Sequence, residues 1–271
     1  MTEKITTLTL LKKKTLGKKI VCLTAYDYLI AQLFDKAGVD LLLVGDSVAN
    51  VVYGHTTTLP VGMTEMLAHT QAVAKATKRA LVVADMPFMS YQLSPEDALR
   101  NAGRFLKVGA EAVKIEGGSA ILVTVEKLVK SGIPVMGHLG LTPQSVHLLG
   151  GYRLQARTKE AQEKLLNDAL ALENAGCFAI VLEKIPLSLA KKVTETIKIP
   201  TIGIGAGPYC DGQILVWQDM LGLSLNKFRF VKEYANLYQI IFDAVKKYIE
   251  EVNEGIFPSM EHSFDDDQSC P

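Results

Sequence analysis

The 271-residue sequence predicts a (β/α)8 TIM barrel of the α/β class, built as a single domain. Three observations predict it. Short apolar segments recur between residues 19 and 222, each followed by a loop and a helical stretch. These segments do not alternate apolar with polar residues, so they are buried on both faces, which requires a parallel sheet flanked by helices. Finally, three consecutive segments, DLLLVGDS, RALVVADMP and EAVKIEGG, run out on Asp46, Asp85 and Glu116. In a parallel α/β protein the carboxyl ends of neighbouring strands share one mouth, where ligands bind.

The elements follow in order. KIVCLTAY (19–26) is the first strand, and DYLIAQLFDKAG its helix, with Gly38 placed to end it. LLLVGDS (41–47) is the second strand, followed by the polar loop NVVYGHTTTLPVG and a helix around 64–77. The third strand is ALVVADMP (80–87), and SPEDALRNAGRFLKVGA opens its helix with a strong N-terminal signature. AVKIEGG and the helix AILVTVEKLVKSG form the fourth unit. PVMGHLGL (134–141) is the fifth strand, and the stretch after it, 142–158, is too long for a plain connector and reads as a lid or binding loop. Helix EAQEKLLNDALALENAG leads to the sixth strand, FAIVLEKI (178–185), and a short helix from Pro186 leads to the seventh, PTIGIGAG (200–207). The eighth is placed near ILVWQDMLGL (214–223), with a long helix at about 230–255 and a mobile tail at about 256–271. Eight units in this span are tight, since such barrels typically take about 250 residues. The competing architecture is a doubly wound open sheet, but TAYD stands where that fold carries a GxGxxG turn.

Composition narrows the function classes. Lys plus Arg equal Asp plus Glu at 29 each, so nothing in the charge balance points to nucleic acid or a membrane surface. Hydrophobic residues make up 48% and aromatics only 7%, which suits an aliphatic core. No apolar run approaches the roughly 20 residues that span a bilayer. Cys22, Cys177, Cys210 and Cys270 show no CxxC pairing, and the N-terminus lacks a secretory signal pattern. Free thiols in a reducing cytoplasm are the expectation.

Chemistry is read from the strand ends. Three carboxylates aimed at one mouth repel unless a positive group sits between them, and a hard divalent cation such as Mg2+ fits so few oxygen ligands. Capping of a helix or turn is the structural alternative for each carboxylate singly. Ser47, next to Asp46, can hold a substrate carboxylate or cap a turn. Lys114 shares one face of its strand with Glu116, and a buried lysine there needs an anion. Glu183 closes FAIVLE among aliphatic neighbours, an environment that suits a general base; a salt bridge on the rim is its structural alternative. His138, in GHLGLTPQ, is a candidate substrate contact, although a lone histidine is more often scaffold. The set supports enolate chemistry on a 2-oxo acid: a cation withdraws charge through the carboxylate and keto oxygens while a base takes the proton next to the carbonyl. The electrophile is not readable from these residues.

Seven segments carry a resemblance: LTAYD (23–27), LLLVGDSVANVVYGHTTTLPV (41–61), ADMPFMSY (84–91), VKIEGG (113–118), GHLGLTPQSVHLLGGYRLQ (137–155), VLEKIP (181–186) and IGIGAGPYCDGQILVWQDMLG (202–222). Together they resemble the ketopantoate hydroxymethyltransferase family, also called 3-methyl-2-oxobutanoate hydroxymethyltransferase, collinearly over roughly residues 8 to 264. The resemblance implies a phosphoenolpyruvate/pyruvate-type barrel that uses Mg2+ in pantothenate biosynthesis. It implies transfer of a hydroxymethyl group from 5,10-methylenetetrahydrofolate to 3-methyl-2-oxobutanoate, forming 2-dehydropantoate. By motif, Asp46, Asp85 and Glu116 would be metal ligands, Asp46, Ser47, Asp85 and Lys114 substrate contacts, and Glu183 the proton acceptor. It further implies a homo-oligomer, a homodecamer in bacterial members. Two other readings compete: a lyase or mutase of the same superfamily, and a barrel kept for binding without turnover. Many such lyases carry a cysteine acid in the loop after a middle strand, and loop 142–158 has none. A barrel without turnover usually lacks a ligand or the base, and none is missing here.

Overall fold

The computed structural model describes residues 3–224 and 226–265. Two compact units divide the chain, Met1–Trp217 and Gln218–Pro271. The first holds a closed barrel of eight parallel strands in sequential order, β1 to β8. Its strands are β1 (Ile20–Thr24), β2 (Leu41–Val44), β3 (Leu81–Asp85), β4 (Ala112–Glu116), β5 (Val135–Gly140), β6 (Ala179–Glu183), β7 (Thr201–Ile204) and β8 (Gly212–Leu215), with β8 pairing back on β1. The open-sheet alternative is thereby excluded. The helices of this unit are α1 (Thr7–Thr15), α2 (Tyr28–Ala37), α3 (Val48–Val51), α4 (Met63–Ala76), α5 (Pro95–Lys107), α6 (Leu122–Lys130), α7 (Lys159–Asn174) and α8 (Leu187–Thr196). Their starts follow local chemistry: Asp27, Ser94 and Thr158 accept from the backbone N–H groups of Ile30, Asp97 and Ala161.

Side-chain parity within the strands organises the barrel. Ile20, Cys22, Leu41, Leu43, Leu81, Val83, Ala112, Met136, Ala179, Val181, Ile202 and Ile214 pack into one buried core, spaced two apart along their strands. Ile5 and Leu10 join this core from the N-terminal segment, so the first helix closes the floor of the barrel. Burying a side chain of that size contributes about 1.5–3 kcal/mol. Continuing the same parity toward the carboxyl ends gives Asp85, Lys114, Glu116, His138 and Glu183. One alternation therefore lays an apolar floor and a polar ceiling.

The eighth strand lies earlier than its apolar run predicts. It starts at Gly212, where a Cβ would come within 2.6 Å of the Ile20 carbonyl oxygen, and it exposes Gln213. The run itself bends into a short helix, α9 (Trp217–Met220). In the second unit the long helix, α10 (Leu237–Asn253), begins later than about 230, where the Asn236 side chain accepts from Gln239 N–H. Beyond it, Phe257 packs edge-on against Tyr248 and His262. The remainder of the tail, with Cys270, lies outside the described residues. Cys22, Cys177 and Cys210 are free and buried. Among the described residues no helix is long and apolar enough to cross a membrane.

Candidate active site

Register brings the ceiling residues together. Asp85 lies opposite Lys114, Glu116 opposite His138, and Gly140 opposite Glu183 on adjacent strands. Parallel neighbours in register point the same way, so these side chains converge inside the barrel. Asp46 arrives from the turn after β2, its backbone N–H donating to Asp85 Oδ2 at 3.3 Å. Asp46, Asp85, Lys114, Glu116 and His138 are buried, and Glu183 stands half-buried at the mouth.

Lys114 is the positive centre of the group. Its ammonium donates to Asp85 Oδ1 at 2.7 Å and lies 3.6 Å from Glu116 Oε1. Burial works against that charge, but Asp85, Glu116 and Asp46 together hold the lysine above its ordinary pKa. Burial also pushes Asp46 well above the usual carboxylate range, and the charges of Asp85 and Glu116 push it further. Asp85 is raised by burial despite Lys114, whereas Glu116 is lowered: burial is outweighed there by Lys114 and His138. His138 stands between two carboxylates, Nδ1 at 3.2 Å from Glu116 Oε1 and Nε2 at 3.4 Å from Glu183 Oε2. Neither approach has hydrogen-bond angles, so both are electrostatic contacts. Burial and Lys114 disfavour the imidazolium, yet the two glutamates prevail and lift its pKa to about 9.

The positive group expected between the carboxylates is thus partly supplied by the protein itself. Among the described residues no three His, Cys, Asp or Glu side chains enclose a metal position. The donor set nevertheless fits a hard cation held by one or two carboxylates. The ligand atoms are all oxygen, Glu116 Oε1 is buried without a hydrogen-bond partner, and burial with the charges of Asp85 and Glu116 disfavours an ionised Asp46, a cost that a cation would relieve.

Three further residues shape the group without having been legible as site residues. Tyr26 OH meets Ser47 Oγ at 2.8 Å; the Ser47 hydroxyl makes no cap bond to α3, so the capping alternative fails for it. Tyr91, buried, takes the Glu116 N–H at 3.1 Å. Gln144 reaches in from loop 142–158, donating from Nε2 to Asp46 Oδ2 at 3.0 Å. The far end of that loop is tied beside Glu183: Gln155 N–H donates to the Lys184 carbonyl at 2.8 Å, and Lys184 Nζ to the Tyr152 carbonyl at 3.1 Å. Lys184 itself has φ of 44°, a left-handed conformation that costs a non-glycine residue about 1–2 kcal/mol. The expected lid or binding loop therefore bridges the mouth, with Tyr152 OH reaching the Thr56 carbonyl at 3.4 Å.

Comparison with known proteins places this geometry. Residues 4–260 match the family model for ketopantoate hydroxymethyltransferase. The chain belongs to the ketopantoate hydroxymethyltransferase family. Relatives named 3-methyl-2-oxobutanoate hydroxymethyltransferase bear this out. That of Caldicellulosiruptor saccharolyticus is 56% identical over 263 residues, covering 97% of this chain and 100% of its own length. That of Thermotoga neapolitana is 57% identical over 256 residues, covering 94% and 95%. Among solved structures, phosphonopyruvate hydrolase in complex with oxalate and Mg2+ superposes with TM-score 0.62 at 14% identity, over 94% of this chain and 92% of its own. A 2,3-dimethylmalate lyase of the PEP mutase/isocitrate lyase superfamily gives 0.60 at 17%, over 97% and 91%. These two likenesses concern the barrel alone. Ketopantoate hydroxymethyltransferases are transferases, so family membership makes this chain an enzyme and sets aside a barrel without turnover.

Proposed function

We propose that this ketopantoate hydroxymethyltransferase family member transfers a hydroxymethyl group from 5,10-methylenetetrahydrofolate to 3-methyl-2-oxobutanoate, giving 2-dehydropantoate and tetrahydrofolate in pantothenate biosynthesis. The observation that carries the reading is one buried group: Asp46, Asp85 and Glu116 around Lys114, with Glu183 beyond His138 at the mouth. Of Asp46, Asp85 and Glu116, one or two would hold Mg2+ directly and the rest through water; when bound the ion would supply Lewis acidity toward the carboxylate and keto oxygens of the substrate. Lys114 pairs with the substrate's negative charge, and the Ser47 hydroxyl, oriented by Tyr26, donates to its carboxylate. The proton leaves C3 for a Glu183 oxygen, and C3 bonds to the methylene carbon of the folate as the first of that carbon's two bonds to nitrogen breaks, that nitrogen taking up a proton. Water supplies the hydroxyl as the second carbon–nitrogen bond breaks, and the proton it gives up goes to the departing nitrogen of tetrahydrofolate. His138, between Glu116 and Glu183, would keep the base oriented and contact the substrate, a role its position beside both carboxylates supports. A cytoplasmic homo-oligomer is the state we expect. The exposed apolar residues Ile241, Phe242, Val245 and Ile249 of α10 support it, because such faces mark protein–protein contact.

Deuterium exchange at C3 of 3-methyl-2-oxobutanoate, followed by NMR without folate, tests the reading before any electrophile takes part. Exchange should require the protein and a divalent cation. A rate equal to that in buffer, with and without Mg2+, would sink the enolate mechanism.

A further inference from the structure

Gln144 makes more bonds within the site than any single function so far described would need. It is buried on the short 3-10 turn Pro143–Ser145, at the start of loop 142–158. Its Nε2 donates to Asp46 Oδ2 at 3.0 Å and to the Met86 carbonyl at 2.9 Å. Its Oε1 accepts from Tyr91 OH at 2.9 Å and from Gln92 Nε2 at 3.3 Å. Its backbone N–H donates to Glu116 Oε2 at 3.0 Å. Both amide donors and both acceptor directions are used, which fills the capacity of the group. Turning the amide over would set its oxygen against the Met86 carbonyl and the Asp46 carboxylate, so the orientation is unique.

We propose that Gln144 is the positioning residue that aims Asp46 and Glu116 at a divalent cation. The proposal rests on the reading of these carboxylates as a cation centre. A carboxylate pinned through one oxygen presents the other in a fixed direction. Glu116 shows the result: Oε2 is held by Gln144, and Oε1 is left buried with no hydrogen-bond partner. Because one residue supplies both contacts, the relative placement of the two carboxylates depends on where loop 142–158 seats its first turn. Groups of this kind behind metal ligands typically govern affinity by about 10–100-fold when removed.

A merely structural glutamine would tie the loop to the strand ends and do nothing more. Tyr91 separates the cases, because Tyr91→Phe removes its bonds to Gln144 Oε1 and to the Glu116 backbone while leaving the Gln144 amide on the Asp46 carboxylate and the Gln144 N–H on the Glu116 carboxylate. The experiment titrates Mn2+ into the metal-free full-length protein, following free Mn2+ by electron paramagnetic resonance, with the thermal midpoint measured in parallel. Wild type should bind Mn2+, and Gln144→Met, of similar volume, should bind it about 10–100-fold more weakly. Tyr91→Phe should melt at a lower temperature and bind Mn2+ close to wild type. Equal affinity in wild type and Gln144→Met overturns the proposal, as does an equal loss of affinity in Tyr91→Phe. If Gln144→Met does not fold, Gln144→Asn carries the same expectation, since its amide is one methylene short of Asp46. Wild type that binds no Mn2+ refutes the cation centre itself, an outcome distinct from loss confined to the variants.

Discussion

In the proposed function the chemistry at Glu183 reduces to one atom pair, a carboxylate oxygen and the C3 proton of a 2-oxo acid. The residue ends an inward-facing strand row and stands half-buried at the mouth, with His138 Nε2 3.4 Å away. Glu183→Gln keeps that shape and removes the basicity. It should retain Mg2+ and keto-acid binding while slowing C3–H exchange about 10²–10⁴-fold, the usual contribution of a general base. Wild-type exchange in that variant would assign the proton to another acceptor. Lys114 makes a different expectation, because it is the counter-charge of Asp85 and Glu116 and, in the proposed function, a substrate contact. Lys114→Met leaves Asp85 and Glu116 buried without their ammonium, and breaking such a pair by removing one partner costs about 3–5 kcal/mol. Denaturant unfolding should show that loss together with weakened keto-acid binding. Unchanged stability with normal turnover would leave the lysine no role in either. These residues, with Asp85, Glu116 and His138, were legible because strand parity states which way each side chain turns. Tyr26, Tyr91 and Gln144 were not, since they approach from a turn or a loop, where no periodicity states direction.

Elements decide how finely those side chains are placed. The β5–β6 pair sets Glu183 through Gly140, which has φ of 94° and accommodates the Glu183 carbonyl oxygen where a Cβ would lie, only 2.2 Å away. Gly140→Ala would combine left-handed strain of about 1–2 kcal/mol with overpacking of about 1–3 kcal/mol. The variant should melt roughly 5 °C or more below wild type, at about 2–4 °C per kcal/mol for a chain of this size, and lose turnover as Glu183 is displaced. A variant with wild-type melting and activity would show that the strand end is more plastic than this contact implies. Most strands were legible as unbroken apolar runs. The eighth was misplaced because β8 buries little besides Ile214, whereas the richer run after it belongs to α9. Helix starts with a capping side chain were the more readable boundaries, since Asp27, Ser94 and Thr158 declare themselves in sequence.

Across the barrel as a whole, stability and chemistry occupy opposite ends, and opposite responses to substitution should follow. Away from the carboxyl-end group, Asp35 of α2 accepts from the backbone N–H groups of Lys78, Arg79 and Ala80. Asp35→Ala would strip those donors at the start of β3, costing roughly 2–4 kcal/mol at the price of an unsatisfied buried group. It should lower the thermal midpoint and leave KM and kcat of the folded protein unchanged. Asp46 should behave in the reverse sense. It is buried against Asp85 and Glu116, and its raised pKa means that folding opposes its ionised form. Asp46→Asn removes that charge while its carbonyl can still accept from Gln144. Metal-free Asp46→Asn should therefore melt no lower than wild type, and a relief of ~1 kcal/mol would raise the midpoint by about 2–4 °C. Metal-dependent exchange at C3 should disappear in the same protein. Such a gain in stability with loss of activity is the signature of a site assembled against the preference of the fold. If Asp46→Asn instead fell in midpoint as far as Asp35→Ala, Asp46 would be holding the barrel together, and the division between the two ends would fail.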